Sequence, residues 1–171
     1  GLKTIFCSND YLGLAASRRV KESATNGIIE AGVGSGASRM VCGNSSAHES
    51  LENKFAQMVG KPASVLFPSG YQANVGAISA LTEAGDIIFS DELCHASIID
   101  GCRLSNAHVE IYKHCNTAHL QSLLEKHRDS KGLKLIITEG IFSMDGDIPP
   151  LETICRLTTD SGALVYVDEA H

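Results

Sequence analysis

Acidic and imidazole groups that follow an apolar run are the clearest sign of chemistry in this sequence. Val165-Tyr166-Val167 leads directly to Asp168, and His171 stands three residues further on. Such a run predicts a buried strand, and open α/β sheets bind ligands at the carboxyl ends of their strands. A carboxylate there can pair with a protonated ring nitrogen, and an imidazole can exchange a proton or donate a hydrogen bond. We therefore predict that Asp168 and His171 belong to a ligand site.

A second candidate site lies where an apolar run meets a helical pattern, at Ser69-Gly70-Tyr71. The first amides of a helix have no partner inside the helix, and the helix dipole is positive at this end. Both properties suit a phosphate group, which Gly70 lets approach the backbone and to which Ser69 can add a hydroxyl. An ordinary capped turn without a ligand is the alternative interpretation.

Two more polar residues follow predicted strands. His95 comes after the apolar run 87–90, where an imidazole can stack on a planar ligand or exchange protons with it, unless it only caps the next helix. Ser143 lies in the polar, glycine-containing segment 138–147 and can donate a hydrogen bond to a ligand oxygen, unless that segment is a loop without a ligand. Cys94 is adjacent to His95, but no second cluster completes a zinc site, so we expect no metal.

Composition and missing motifs exclude several classes of function. The net charge of −6 argues against binding nucleic acid or anionic lipid by bulk attraction. No apolar stretch is long enough to cross a membrane, and no signal sequence is recognisable, so we expect a cytoplasmic protein. Residues 168–171 spell the DEAH of helicase ATPases, but the glycine-rich stretch 32–39 matches neither a Walker loop nor a dinucleotide fingerprint. An ATPase is therefore not favoured.

The chain alternates short apolar runs with longer amphipathic ones, which is typical of repeated βα units. We therefore predict an α/β fold with a mostly parallel sheet, in one domain with an N-terminal segment at residues 1–45 and the main body at residues 46–171. The predicted strands are residues 63–67, 86–90, 109–112, 133–138 and 163–167, and the predicted helices are residues 46–59, 72–81, 97–105, 118–127 and 151–159.

Seven motifs in a fixed order resemble the α-oxoamine synthases, a family of pyridoxal-phosphate (PLP) enzymes related to class II aminotransferases. The resemblance covers nearly the whole chain. In chain order the motifs are N-D-Y-L-G-L (9–14), G-S-G-x-S-R (34–39), G-N-S-x-x-H-x-x-L-E (43–52), S-G-Y-x-A-N (69–74), H-A-S-I-I-D-G (95–101), F-S-M-D-G-D (142–147) and V-D-x-A-H (167–171). The resemblance implies the three-layer large domain of fold-type I PLP enzymes, here incomplete.

The resemblance also implies roles for the candidate residues. Ser69, Gly70 and Tyr71 should hold the phosphate of pyridoxal 5′-phosphate, and Asp168 should pair with its ring nitrogen. His95 should stack on the ring and contact substrate. The remaining implied contacts are Ser143 and His171 with the phenolic oxygen of the ring, and Asn9 with the carboxylate of the amino-acid substrate.

Within the family, residues 8–14 and 138–147 most resemble the branch of biotin biosynthesis that condenses alanine with a pimeloyl thioester, carried by coenzyme A or a carrier protein, and releases carbon dioxide. The first alternative is the branch that joins glycine to an acetyl group, or another branch of the family, and the second is a non-catalytic domain that binds a cofactor or a partner. The family implies a homodimer. It also implies a cofactor-binding lysine just beyond the V-D-x-A-H motif. We therefore expect this chain to be a fragment of the large domain that lacks this lysine and is inactive by itself.

Overall fold

The structure is a computed structural model that describes residues 1–171 and contains two compact units, residues 1–64 and residues 65–171. The sequence-based division after residue 45 stays a prediction. No helix is both long enough and apolar enough to cross a membrane.

The first unit is helical. It contains α1 (Arg18–Ala31) and α2 (Ser46–Met58), with a short 3₁₀ turn at Leu14–Ala16 and a π turn at Arg39–Gly43. The guanidinium of Arg39 donates to both carboxylate oxygens of Glu52, at 2.7 and 3.0 Å, and this two-point contact ties the glycine-rich segment to α2.

The second unit is an α/β layer structure that starts with α3 (Gly70–Leu81). The elements that follow are β1 (Ile87–Asp91), α4 (Ala96–Leu104), β2 (His108–Tyr112), α5 (Thr117–Lys126), β3 (Lys134–Glu139), α6 (Leu151–Ser161) and β4 (Leu164–Asp168). All strand pairs are parallel, and the strand order is β2-β1-β3-β4.

Each strand of the sheet centre contributes to two cores, because successive side chains of a strand point to opposite faces. Phe89 of β1 and Ile136 of β3 pack with the apolar residues of α5 and α6. Ile88, on the other face, packs with those of α3 and α4. Gly101 allows α3 and α4 to lie close together, since a Cβ at this position would stand 2.9 Å from the carbonyl oxygen of Asn74. The predicted three-layer α/β architecture is confirmed.

Four of the five predicted strands are present, and the prediction of a strand at residues 63–67 is wrong. That segment is apolar, but a strand also needs a hydrogen-bonded neighbour, and none of the ladders of the sheet includes it. The ring of Phe67 instead packs on α3, where a Cβ at Gly76 would lie 3.0 Å from it. Phe67 is partly buried, whereas Val65 and Leu66 are 72% and 38% exposed, so the apolar character of the segment gave it neither a ladder partner nor full burial.

Candidate active site

Parallel strands bring their carboxyl ends to one edge of the sheet, and a pocket opens at this edge in the second unit. The connection after β1 runs to α4 on one face, and the connection after β3 runs to α6 on the other. The crevice between two such diverging connections is where open α/β sheets bind ligands. We call it the carboxyl-edge pocket, and it is lined by Gly70, Tyr71, Asn74, His95, Ser97, Glu139, Ser143, Asp168, Ala170 and His171.

The Asp168 carboxylate at the end of β4 is held by a side-chain network. Its Oδ2 accepts a hydrogen bond from Asn74 Nδ2 at 2.7 Å, and its Oδ1 accepts one from the backbone amide of Ala170 at 2.8 Å. Asn74 also donates to Ser97 Oγ at 2.9 Å and accepts from the hydroxyl of Tyr166 at 2.7 Å. Since every polar hydrogen of the Asn74 amide is used, its orientation and that of Asp168 are set before any ligand binds.

His95 follows β1 and both caps α4 and lines the pocket. Its Nδ1 accepts the backbone amide hydrogen of Ser97 at 3.2 Å and lies 2.7 Å from the hydroxyl oxygen of Ser97. In the neutral ring the proton is therefore on Nε2. The two interpretations of His95 in the sequence, a helix cap or a ligand contact, are thus compatible in the structure.

Glu139 lies at the end of β3, beside Asp168 in the register of the sheet. Its side chain is buried, and its Oε1 accepts the backbone amide hydrogen of His95 at 2.5 Å. Burial, together with the charge of Asp168, raises the pKa of Glu139 above its ordinary value, although the hydrogen bond from His95 opposes this shift. Glu139 therefore ties the β1 connection to β3 at the wall of the pocket.

The N-terminus of α3 faces the pocket through Gly70 and Tyr71. Ser69 is the N-cap, and its Oγ accepts the amide hydrogen of Gln72 at 3.2 Å, so the hydroxyl is engaged within the helix. The hydroxyl of Tyr71 donates to Asp100 at 2.6 Å, and this hydrogen bond raises the pKa of Tyr71. The backbone amides of Gly70 and Tyr71, in the first turn of α3 at the pocket wall, thus have no acceptor within the helix.

The structure brings most of the predicted site residues together. Gly70, Tyr71, His95, Ser143, Asp168 and His171 all line the carboxyl-edge pocket. Ser69 stands next to the lining residues as the cap of α3. Asn9 is an exposed residue of the first unit, and its contact with substrate stays a prediction. The chemical role of each of these residues also stays a prediction.

Four lining residues were not predicted to be site residues: Ala170 and the polar residues Asn74, Ser97 and Glu139. Asn74 and Ser97 are only 5% and 1% exposed. Polar residues are seldom buried without a hydrogen-bond partner, so each is expected to have one. A sequence signal existed for Asn74, since asparagine is unfavourable inside a helix and ends the S-G-Y-x-A-N motif. Only the structure shows that its partner is Asp168, 94 residues away.

Comparisons with known proteins agree with this geometry. A family model described as "Aminotransferase class I and II" matches residues 3–171. Curated relatives named 8-amino-7-oxononanoate synthase are 49% identical over 168 residues in Lysinibacillus sphaericus and 50% identical over 164 residues in Thermoanaerobacter pseudethanolicus. These alignments cover 98% and 96% of this chain but 43% and 42% of the relatives, so the chain spans about two fifths of their length.

Solved structures give the same result for the fold. A serine palmitoyltransferase from Sphingomonas wittichii has a TM-score of 0.93 at 34% identity, over 96% of this chain and 41% of its own. The same enzyme from S. paucimobilis, with bound PLP and myriocin, has a TM-score of 0.93 at 33% identity, over 96% and 42%. An 8-amino-7-oxononanoate synthase from Francisella tularensis has a TM-score of 0.79 at 33% identity, over 97% and 44%. The predicted fold class and family resemblance are confirmed.

Proposed function

Because the chain belongs to the class I and II aminotransferase family, we propose that its carboxyl-edge pocket binds pyridoxal 5′-phosphate and that the full-length protein is a PLP-dependent acyltransferase. The observation that carries this proposal is the convergence, in one pocket, of a helix N-terminus and a carboxylate whose orientation Asn74 has already set. An anion and a protonated ring nitrogen are the two groups that such a pocket is suited to hold.

The residues of the pocket fit this cofactor. The amides of Gly70 and Tyr71 would hold its phosphate, where the helix dipole favours negative charge. The carboxylate of Asp168 would keep the ring nitrogen protonated. When bound, the cofactor supplies an electron sink for the carbon that loses or gains a proton.

Three other lining residues would orient the ring and its reacting atoms. The imidazole of His95 would lie against the ring, with its Nε2 proton available to an acceptor on the substrate. Ser143 and His171 would hydrogen-bond the phenolic oxygen of the ring, as the family resemblance implies. Glu139 would act indirectly, because it holds the His95 backbone in place.

The proposed reaction is the condensation of alanine with a pimeloyl thioester, carried by coenzyme A or a carrier protein, with release of carbon dioxide. It rests on the relatives named 8-amino-7-oxononanoate synthase, which are 46–50% identical to the chain. We propose a homodimer in the cytoplasm for the full-length protein.

The cofactor-binding lysine is proposed to lie outside residues 1–171. None of the residues that line the carboxyl-edge pocket is a lysine, and the chain spans about two fifths of the length of its relatives. Borohydride reduction of the full-length protein with bound cofactor, followed by peptide mapping, should find the adduct on a lysine outside this range. An adduct on any of the eight lysines within residues 1–171 would contradict this part of the proposal.

The test of the reaction is thiol release by the full-length protein with defined substrate pairs. We expect release with alanine and pimeloyl coenzyme A, and much less with glycine and acetyl coenzyme A. Preference for glycine and acetyl coenzyme A would favour glycine C-acetyltransferase instead. PLP binding without thiol release from either pair would favour another α-oxoamine synthase or a non-catalytic cofactor-binding protein.

A further inference from the structure

A buried aspartate at the end of β1 organises a second cluster, next to the carboxyl-edge pocket but outside its lining. The Asp91 side chain is fully buried. Its Oδ1 accepts the amide hydrogen of Leu93 at 3.0 Å, and its Oδ2 accepts that of Cys115 at 2.8 Å. These two bonds hold the carboxylate rigidly between the connections that follow β1 and β2. Its third partner is His114 Nδ1, 2.8 Å from Oδ1.

His114 bridges two carboxylates. Its Nδ1 faces Asp91 and its Nε2 lies 2.6 Å from Asp147 Oδ2. An ionised carboxylate only accepts hydrogen bonds, so the ring can donate to both carboxylates only in its imidazolium form. The Phe142 ring packs edge-on against it, with the two ring centroids 4.4 Å apart. The imidazolium thus connects the end of β1 to the connection that follows β3.

The segment that His114 contacts is a closed loop, Phe142 to Asp147. The amide of Phe142 donates to the carbonyl of Asp147 at 3.0 Å, and the amide of Gly146 donates to the carbonyl of Phe142 at 2.8 Å. The two loop residues that contact His114 are Phe142 and Asp147, which are the ends of the loop. Ser143, which lines the carboxyl-edge pocket, follows the first of these ends directly.

We propose that His114 is a positioning residue whose imidazolium fastens the 142–147 loop to Asp91 and thereby holds Ser143 at the pocket. The part of this inference that concerns the cofactor rests on the proposed function, whereas the part that concerns the loop does not. Asp147 Oδ1 is buried without a hydrogen-bond partner, and Oδ2 contacts His114 Nε2 at 2.6 Å and the Cys115 thiol at 3.9 Å, so the His114 contact is the shorter of its two side-chain contacts.

The clamp should depend on pH. Burial lowers the pKa of His114, but the hydrogen bonds and charges of Asp91 and Asp147 outweigh it, and the pKa is raised above its ordinary value. The other titratable groups around the ring are Glu92, whose Oε1 accepts the His114 amide at 2.9 Å, and Cys115, whose Sγ lies 3.5 Å from Nε2. Because the folded pKa is raised, the clamp is complete below about pH 6.5 and is lost as the pH rises through the folded value.

The test is amide hydrogen exchange in the full-length protein, prepared without added cofactor. In His114→Gln, exchange of the 142–147 amides at about pH 6 should be roughly ten to a hundred times faster than in the wild type, the range expected for losing a charge-assisted hydrogen bond. In the wild type the same amides should lose protection as the pH rises above about 6.5, after the intrinsic pH dependence of exchange is divided out. Amides of β3 should not change in either case.

His127 provides a matched control. It is 19% exposed, against 20% for His114, and its Nε2 also contacts a carboxylate, that of Glu110 at 2.7 Å. It does not line the carboxyl-edge pocket. His127→Gln should leave exchange of the 142–147 amides unchanged. Equal effects of the two substitutions, or an unchanged loop in His114→Gln, would overturn the proposal.

A second measurement links the loop to the pocket. With PLP added, His114→Gln should bind it about tenfold more weakly than His127→Gln does. Faster loop exchange with unchanged PLP affinity would overturn the positioning of Ser143 while leaving the proposed function intact. If the wild-type protein does not bind PLP, the proposed function fails, and so does the link to the cofactor, whereas the exchange experiment still decides whether His114 holds the loop.

Discussion

Asp86 and Asp168 stand at opposite edges of the same parallel sheet. The surroundings of Asp86 suit a structural role, whereas those of Asp168 suit binding of a ligand. Asp86 precedes β1, and its two carboxylate oxygens accept the backbone amides of Leu133 and Glu83, at 2.7 and 2.9 Å. Asp168 ends β4, and its Oδ2 accepts from the side chain of Asn74 while it faces the pocket. Both carboxylates accept two hydrogen bonds, but only Asp168 remains available to a ligand.

Asp86 is buried and Asp168 is only partly buried, and both this difference and the difference in partners follow from the edge of the sheet at which each residue stands. At the amino edge, the Asp86 carboxylate accepts two backbone amides and so joins the segments that precede β1 and β3. At the carboxyl edge the connections diverge to the two faces of the sheet and leave a crevice. A carboxylate there is oriented by one side chain and still has room for a partner.

The largest expected effect is on cofactor binding by Asp168→Asn. Replacing the charged acceptor of a protonated ring nitrogen removes a charge-assisted hydrogen bond, which corresponds to a roughly hundredfold weaker affinity for PLP. Titration of the full-length protein by visible absorbance measures it. An affinity within about threefold of the wild type would contradict the role of Asp168.

Asp86→Ala should have the opposite profile. It leaves the amides of Leu133 and Glu83 without acceptors, and we expect a loss of about 2 to 3 kcal/mol in the free energy of unfolding. Urea denaturation measures this loss, and PLP affinity should stay unchanged in the folded variant. A selective loss of PLP affinity at unchanged stability would erase the distinction between the two edges.

Asn74→Ala should weaken PLP binding about tenfold, because Asp168 loses the donor that orients it. Tyr166→Phe is the control: it removes one hydrogen bond to Asn74 but leaves both donors of the amide in place. We expect it to cost about 1 kcal/mol of stability with little effect on affinity. Equal losses of affinity in the two variants would mean that Asn74 does not act through Asp168.

Glu139→Gln should produce the smallest effect, below about 1 kcal/mol at neutral pH. The folded pKa of Glu139 is raised, mainly by burial, so the folded state holds this proton more tightly than the unfolded chain does. Stability therefore falls as the pH rises from the ordinary value for glutamate through the raised one. Glutamine keeps an oxygen that accepts the His95 amide but has no proton to lose. The fall in the free energy of unfolding with pH should therefore be shallower in Glu139→Gln than in the wild type, measured by urea denaturation between about pH 4 and pH 7.

Much of the second unit follows from local patterns. Short apolar runs predicted β1 to β4, and the polar residues after them predicted an edge that binds a ligand, because parallel strands end on the same side. The failure at residues 63–67 has a physical cause: apolar content is a local property, whereas a strand also requires a hydrogen-bonded neighbour, which this segment lacks. Asn74 and Glu139 were missed because their importance depends on partners far away in the chain.

The sequence by itself determined the α/β class, the family and most of the side chains at the pocket, since periodicity and motifs are local properties of the chain. The tertiary structure alone decided which of these side chains touch: Asn74 with Asp168, Glu139 with the His95 backbone, and His114 with both Asp91 and Asp147. Such contacts join residues up to 94 positions apart. Their distances follow from how strands and helices pack, which no local pattern encodes.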